Sequence, residues 1–351
     1  MTHSNLHYDA LLVLSYGGPE GEDDVIPFLR NATGGRNIPE ERLREVGEHY
    51  YANGGKSPIN DQCKAMISNL EAELERRGIQ LPIYYGTRNW HPYVEDVAAQ
   101  MSRDGVKNAL VFATSAWGGY SASRQYDEDI ARAREYLAKE NLPEINFTKL
   151  RQFFNHPVFV QEMADGIREA YNEFSPEELP HVRMIFTAHS VPLSKGHNDG
   201  TGATESEHYE AQVYEAAKLV ADVAGVTDYD VVWQSRSGAP HIPWLEPDVV
   251  DHVEAVHEED GLRACVVTPI GFLTDHMEVM WDLDTELRDA CLERDIHMVR
   301  SRTAGLTAHF AGMLADLIAE ANGDKEIERL GDMDSWGATY NGLPIDSYPH
   351  A

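Results

Sequence analysis

Cysteine is scarce: Cys63, Cys265 and Cys291 are the only three in 351 residues, far apart and without a CxxC pair. So small and scattered a set supports neither a disulfide framework nor a four-cysteine zinc or iron–sulfur site. A reducing compartment is the expected setting. Long apolar runs are missing too. ALLVL (10–14) is the first apolar stretch, no basic segment precedes it, and nothing approaches the ~18 residues needed to span a bilayer. The chain therefore reads as cytoplasmic, with no signal peptide and no membrane span. Positive charge is outweighed, with 29 Lys+Arg against 59 Asp+Glu and a net charge of −30. That balance repels nucleic-acid phosphate and anionic lipid headgroups, so neither is an expected partner. Beyond this it describes only an acidic, well-hydrated surface. Finally, Gly17, Gly18, Gly34 and Gly35 form neither GxGxxG nor a Walker A loop, which disfavours nucleotide binding.

What is present is a globular composition, 42% hydrophobic and 25% charged. Short β-rich runs alternate with helical patterns. The runs are ALLVLSY (10–16), PIYYGT (82–87), NALVFATS (108–115), VRMIFTA (182–188), YDVVWQS (229–235) and ACVVTPI (264–270). Helix-like segments lie between them, at 63–78, 94–105, 127–140, 208–225 and 284–295, and Gly78, Gly105 and Gly225 stand where helix-ending glycines belong. Continuous apolar strands alternating with helices predict an α/β fold with parallel sheets covered on both faces.

The two halves resemble each other. YDALLVLSYGGP (8–19) and HVRMIFTAHSVP (181–192) both run from an apolar strand through small or polar residues to proline, which lays Tyr16 over His189 and Pro19 over Pro192. ALVFATSAWGG (109–119) aligns similarly with ACVVTPIGFLT (264–274). The expectation is two Rossmann-like lobes related by pseudo-two-fold symmetry, residues 1–150 and 151–351, with the similar cores at about 1–150 and 180–320. Ligands of such folds bind at the carboxyl ends of the strands. That places Tyr16 and His189 on facing lobes.

His189 directly follows a strand. Its imidazole suits proton transfer near neutral pH or binding of a divalent metal, and equally a hydrogen-bonded structural role. Further on, Asp275, Glu278, Asp282, Glu286 and Asp289 recur every three or four residues, which stacks carboxylates on one helix face. Such a row is either a solvated acidic face or a path for cations or protons into the cleft; like charges four residues apart repel by ~0.2–0.5 kcal/mol each. Tyr16, Ser57, Tyr126, Trp233 and Ser235 lie at strand ends or in loops. Aromatic rings there suit a flat apolar ligand and hydroxyls suit its carboxylates, although turn or core roles are equally open.

Taken in order, SYGGP (15–19), GGKSPIN (54–60), TAHSVP (187–192), WQSRSGAPHIPWLEPDV (233–249) and PIGFLTDHMEVMWDLD (269–284) resemble the ferrochelatase family over about residues 8–320. The string GTRNWHPY (86–93) looks actinobacterial. The resemblance implies a chelatase-like fold and insertion of Fe²⁺ into coproporphyrin III to give coproheme. It implies that His189 and Glu278 face the porphyrin centre and bind iron, that Tyr16 lies on the opposite porphyrin face, and that Ser57 and Tyr126 hold propionates. Asp282 and Glu286 match the acidic row leading outward. Iron is then a substrate and no cofactor is required. Some relatives carry a [2Fe–2S] cluster with cysteines near the C-terminus; no cysteine follows Cys291, so no cluster is expected. Transient contact with neighbouring haem-pathway enzymes is compatible with such a role. Protoporphyrin IX as substrate, a cobalt or nickel chelatase, and a haem or metal carrier are the alternatives. The chain departs from the low-GC Gram-positive relatives at several positions. Thr33, with Arg36 nearby, stands where they carry a propionate-binding Arg, His49–Tyr50 replaces their Arg-Tyr pair, and Asn89 replaces a cleft histidine found in some members.

Overall fold

The computed structural model describes residues 7–34, 38–193, 204–237 and 241–333. Arg36, one of the departures noted above, lies outside the described residues. The strands are β1 (Ala10–Ser15), β2 (Ile83–Thr87), β3 (Asn108–Ala113), β4 (Asn146–Lys149), β5 (Val182–His189), β6 (Tyr229–Gln234), β7 (Ala264–Thr268) and β8 (His297–Arg300). They form two four-stranded sheets, ordered β2-β1-β3-β4 and β6-β5-β7-β8, and every pairing is parallel. Adding four to each strand number of the first sheet gives the second. This is the internal repeat expected from the sequence, expressed as topology.

The apolar runs explain the parallel pairing. All six residues of β1 and all five of β7 are buried, so both sheet faces need helical cover. The helices Ile59–Arg77 and Glu205–Ala224 supply part of it, each ending at a left-handed glycine, Gly78 (φ +72°) and Gly225 (φ +79°). Thr204 begins the second of these helices with a capping box: it accepts from the Glu207 N–H while the Glu207 carboxylate accepts from its own N–H.

The lobes share a core. One apolar cluster joins Leu11, Val13, Leu110 and Phe112 of the first sheet to Met184, Phe186, Ala188 and Val266 of the second. Burying each such large side chain contributes roughly 1.5–3 kcal/mol relative to leaving it in water. The C-terminal helix Ala308–Ala321 returns to the first lobe, where Asp316 pairs with Arg77 and the helix packs against Ile59–Arg77. Polar contacts also bridge the seam: Trp117 Nε1–H donates to the Gly271 carbonyl (3.0 Å), and the Gly118 N–H donates to Gln212 Oε1 (2.7 Å). Among the described residues no helix is long and apolar enough to cross a membrane.

Candidate active site

Corresponding strands, β1 and β5, lead to Tyr16 and His189. Tyr16 follows β1, and its carbonyl accepts from the backbone N–H of Asn89 (3.1 Å) and from Asn89 Nδ2 (3.2 Å). The next residue, Gly17, has φ +79°, and a Cβ there would meet Thr87 Cβ at 2.8 Å, so only glycine allows the chain to turn so close to β2. The Tyr16 ring is 38% exposed, with Phe28 against its edge and the Arg88 guanidinium 5.9 Å from its centroid.

His189 is the last residue of β5. Its carbonyl accepts from the Tyr209 hydroxyl (2.9 Å), and the following N–H, of Ser190, donates to the Gln234 carbonyl (2.8 Å). Gly271 lies directly behind, where a Cβ would come within 2.7 Å of Ala188 Cα. The ring is therefore presented by a rigid backbone. Its Nδ1–H donates to the Ser190 carbonyl, an oxygen that can only accept, so Nε2 carries the lone pair when the ring is neutral.

That Nε2 lies 3.4 Å from Glu278 Oε2, and the two side chains are 35% and 52% exposed. They lie side by side with both side chains partly open to solvent. Burial opposes charge on His189, but the Glu278 carboxylate, its hydrogen bond and the Ser190 carbonyl outweigh it, so the ring is more basic than ordinary imidazole. Burial likewise pushes Glu278 up, but His189 and His276 more than offset it and hold the carboxyl at about 2. Asp282 shows the opposite balance. Burial, reinforced by Glu278 and Glu286, drives it to about 7 against hydrogen bonds from Ser235 and Gln234.

The acidic row is built by an unusual backbone. A short α-helix, Met277–Trp281, runs into a π-helical segment, Asp282–Leu287, before α-helical geometry resumes at Arg288–Glu293. In an α-helix, residues four apart drift by ~40° around the axis. The wider i→i+5 turn reduces that drift between Asp282 and Glu286. Glu286 is exposed at the outer end, where Trp281 Nε1–H donates to it at 2.8 Å. The five-carboxylate face expected from the sequence is shorter in the structure. Asp275 precedes the helix, pairing with Arg300 (2.9 Å) and accepting from Gln62, while Asp289 lies on the next α-helix beyond the π segment.

The remaining candidates are placed differently. Ser57 and Tyr126 are 2% and 5% exposed. Gly18 covers Ser57 so closely that a Cβ on it would sit 2.6 Å from Ser57 Cβ. The Tyr126 ring carries the Arg88 guanidinium 4.6 Å from its centroid. Trp233 is wholly buried in the core. Ser235 lies at the crevice, where its hydroxyl donates to Asp282.

Other groups that the sequence had not singled out as site residues also come to the site. His276 adjoins Glu278, and the HxE spacing could have flagged it. Buried Tyr50 is raised well above ordinary tyrosine, first by burial and further by the nearby Glu278 carboxylate. His49, one residue earlier, stacks on Trp281 at 3.9 Å between centroids. Arg88 bonds Asp129 (2.8 Å) and Gln125 (3.0 Å) beneath Tyr16.

Two parallel sheets of corresponding order thus place an imidazole and a carboxylate side by side. The ferrochelatase family profile matches residues 8–322. The chain belongs to the ferrochelatase family. The curated ferrochelatases similar to it include one from Corynebacterium glutamicum, 51% identical over 96% of this chain and 90% of that protein. Others are from Corynebacterium diphtheriae (49% identical, 96% and 93% covered) and Mycolicibacterium smegmatis (48%, 97% and 98%). Each of the three carries the name coproporphyrin III ferrochelatase. Among solved structures, SirB from Bacillus subtilis with Fe³⁺ superposes with a TM-score of 0.53 at 12% identity, covering 92% of this chain and 99% of SirB. At that identity the likeness concerns the chelatase-like fold alone.

Proposed function

We propose that this ferrochelatase inserts Fe²⁺ into coproporphyrin III, giving coproheme and releasing two protons. The observation that carries the chemistry is the His189 Nε2–Glu278 Oε2 approach of 3.4 Å with both side chains partly exposed. The choice of porphyrin rests on the names and high identity of the actinobacterial relatives.

Two pyrrole N–H protons must leave as iron enters, and the macrocycle must open one face. Tyr16 on one wall, with His189 and Glu278 on the other, clamp the ring; contacts remote from the centre supply the ~1–5 kcal/mol of ring distortion. Mixed nitrogen and oxygen donors suit Fe²⁺. As the incoming cation approaches Glu278, it cancels the negative charge that makes His189 basic. His189 then sheds its proton toward the acidic row, and Nε2 takes the two pyrrole protons in turn, passing the first along the same row and keeping the second, which restores its protonated resting state. Asp282, near 7, exchanges that proton at neutral pH, and Glu286 delivers it to water.

Ser57 and Tyr126 are proposed as propionate contacts on the family resemblance. Both are covered, so a carboxylate reaches them only as Gly18 and the Arg88 side chain give way. No [2Fe–2S] cluster is proposed, because the donors do not fit one. Cys63 is buried in the core shared by the lobes, and Cys265 and Cys291 lie in a separate apolar layer of the second lobe. Three unpaired thiols accord with a cytoplasmic setting.

Anaerobic turnover on coproporphyrin III and protoporphyrin IX tests the reading. Coproporphyrin III is expected to have the higher kcat/KM. A preference for protoporphyrin IX would reassign the substrate, and porphyrin binding without metallation by either would indicate a carrier.

A further inference from the structure

Asp282 is held by an unusual arrangement at the end of β6. Ser235, the residue after that strand, has φ +61°, a left-handed backbone that residues other than glycine rarely adopt. Such outliers persist where the surroundings enforce them, and they cluster at functional sites. Here the left-handed turn brings the Ser235 hydroxyl onto Asp282 Oδ2, to which it donates.

A second donor reaches the same oxygen. Gln234 Nε2 donates to Asp282 Oδ2 at 3.2 Å. The amide is oriented by Thr187 of β5, whose hydroxyl donates to Gln234 Oε1 at 3.2 Å. Two donors on Oδ2 leave the other oxygen, Oδ1, as the one unclaimed by these contacts. Asp282 is also the first residue of the π segment, midway between Glu278 and Glu286. The ionisable groups that act on it are Glu278 and Glu286 from its own helix and His189 from β5.

We propose that Ser235 is a positioning residue for iron insertion: its hydroxyl, delivered by a left-handed backbone and seconded by Gln234, pins one carboxylate oxygen of Asp282 so that the other can take up the proton leaving the His189–Glu278 pair. This inference rests on the metallation reading above. The sign of its consequence is fixed. A donor to the carboxylate favours the ionised form, so Ser235 opposes the upward push that burial and the neighbouring carboxylates exert on Asp282. Without the hydroxyl, Asp282 protonates at higher pH and stops accepting protons sooner as the medium is acidified.

Two replacements separate the hydroxyl from the backbone. Ser235→Ala removes the donor and keeps the left-handed strain, whereas Ser235→Gly removes the donor and relieves the strain, which favours a folded variant. The full-length protein is assayed for metallation of coproporphyrin III across pH. In both variants the acid limb of kcat is expected to move up by about one pH unit, with KM for the porphyrin unchanged. Ser235→Thr, which keeps the hydroxyl, should restore the limb in part. In an Asp282→Asn background, Ser235→Gly should have no additional effect on kcat.

An acid limb at its wild-type position in both variants overturns the proposal. So does a shift in Ser235→Ala that is absent from Ser235→Gly, since that outcome assigns the effect to backbone strain. Wild-type protein that metallates neither porphyrin sinks the functional reading itself. Wild-type turnover with indistinguishable Ser235 variants sinks only this inference.

Discussion

At the scale of single residues, charge compensation governs the site. Glu278 raises the basicity of His189, and His189 and His276 hold Glu278 at about 2. Glu278→Gln removes the anion, so the folded-state pKa of His189 falls toward that of ordinary imidazole, because burial is then opposed only by the Ser190 carbonyl and the Asp282 charge. NMR titration of the His189 ring should show a downward shift, and an unchanged midpoint would contradict the pairing. Linkage gives the stability counterpart. A raised His189 stabilises the fold below its unfolded pKa near 6.5, and that contribution fades as pH rises through the folded value. A depressed Glu278 stabilises above its unfolded pKa of 4.5 and loses its effect as pH falls toward 2. The pair's joint contribution therefore lies between roughly pH 4.5 and 6.5 and declines on either side. Gly271 makes a steric prediction. Gly271→Ala drives a methyl into Ala188 at 2.7 Å, which should cost about 1–3 kcal/mol. It should also lower kcat by displacing His189, and an unaltered melting temperature and kcat would disprove the close contact. His189 and Glu278 could be named as candidates because each follows a strand, but it was the family resemblance, not spacing, that paired them. The Ser235–Asp282 and Arg88–Tyr126 contacts were not legible, because each joins residues from separate elements and depends on backbone angles or packing that periodicity does not encode.

At the scale of elements, the long strands and the glycine-ended helices follow from apolar patterning. Two of the four edge strands, β4 and β8, do not. NFTK (146–149) and HMVR (297–300) are four residues long and partly polar, pair along one side only, and lack the continuous apolar signature of a central strand. The π segment was equally hidden. Four-residue spacing announced a row of carboxylates but not the widened turn that aligns it, and Asp275 was drawn away by Arg300 of β8. If alignment matters, deleting Thr285 to restore α-helical pitch should rotate Glu286 out of line with Asp282. Steady-state kinetics should then show KM for the metal up, or kcat down, by about 10–100-fold, with porphyrin affinity retained. Metal kinetics unaffected by the deletion would count against a conducting role for the row.

At the scale of the whole molecule, the repeat in the sequence became two sheets of identical order, while the return of the C-terminal helix to the first lobe had no local signal. The shared core joins the lobes into one body, so the crevice is largely preformed and wide hinge closure is disfavoured. The net charge of −30 faces the proposed substrates, a porphyrin with four propionates and a dication. Long-range forces therefore oppose the first substrate and attract the second. Raising ionic strength from 0.01 to 0.15 M, which shortens the screening length from about 30 to about 8 Å, should speed porphyrin association and slow metal association; stopped-flow traces insensitive to salt would refute this. The account depends above all on an imidazole beside a carboxylate under the macrocycle. Its most direct test is anaerobic Fe²⁺ insertion into coproporphyrin III by His189→Ala, with porphyrin binding followed by fluorescence on the same preparation. The expected result is a fall in kcat of at least about 100-fold with porphyrin binding retained. Turnover close to wild type in a variant that still binds porphyrin would contradict it.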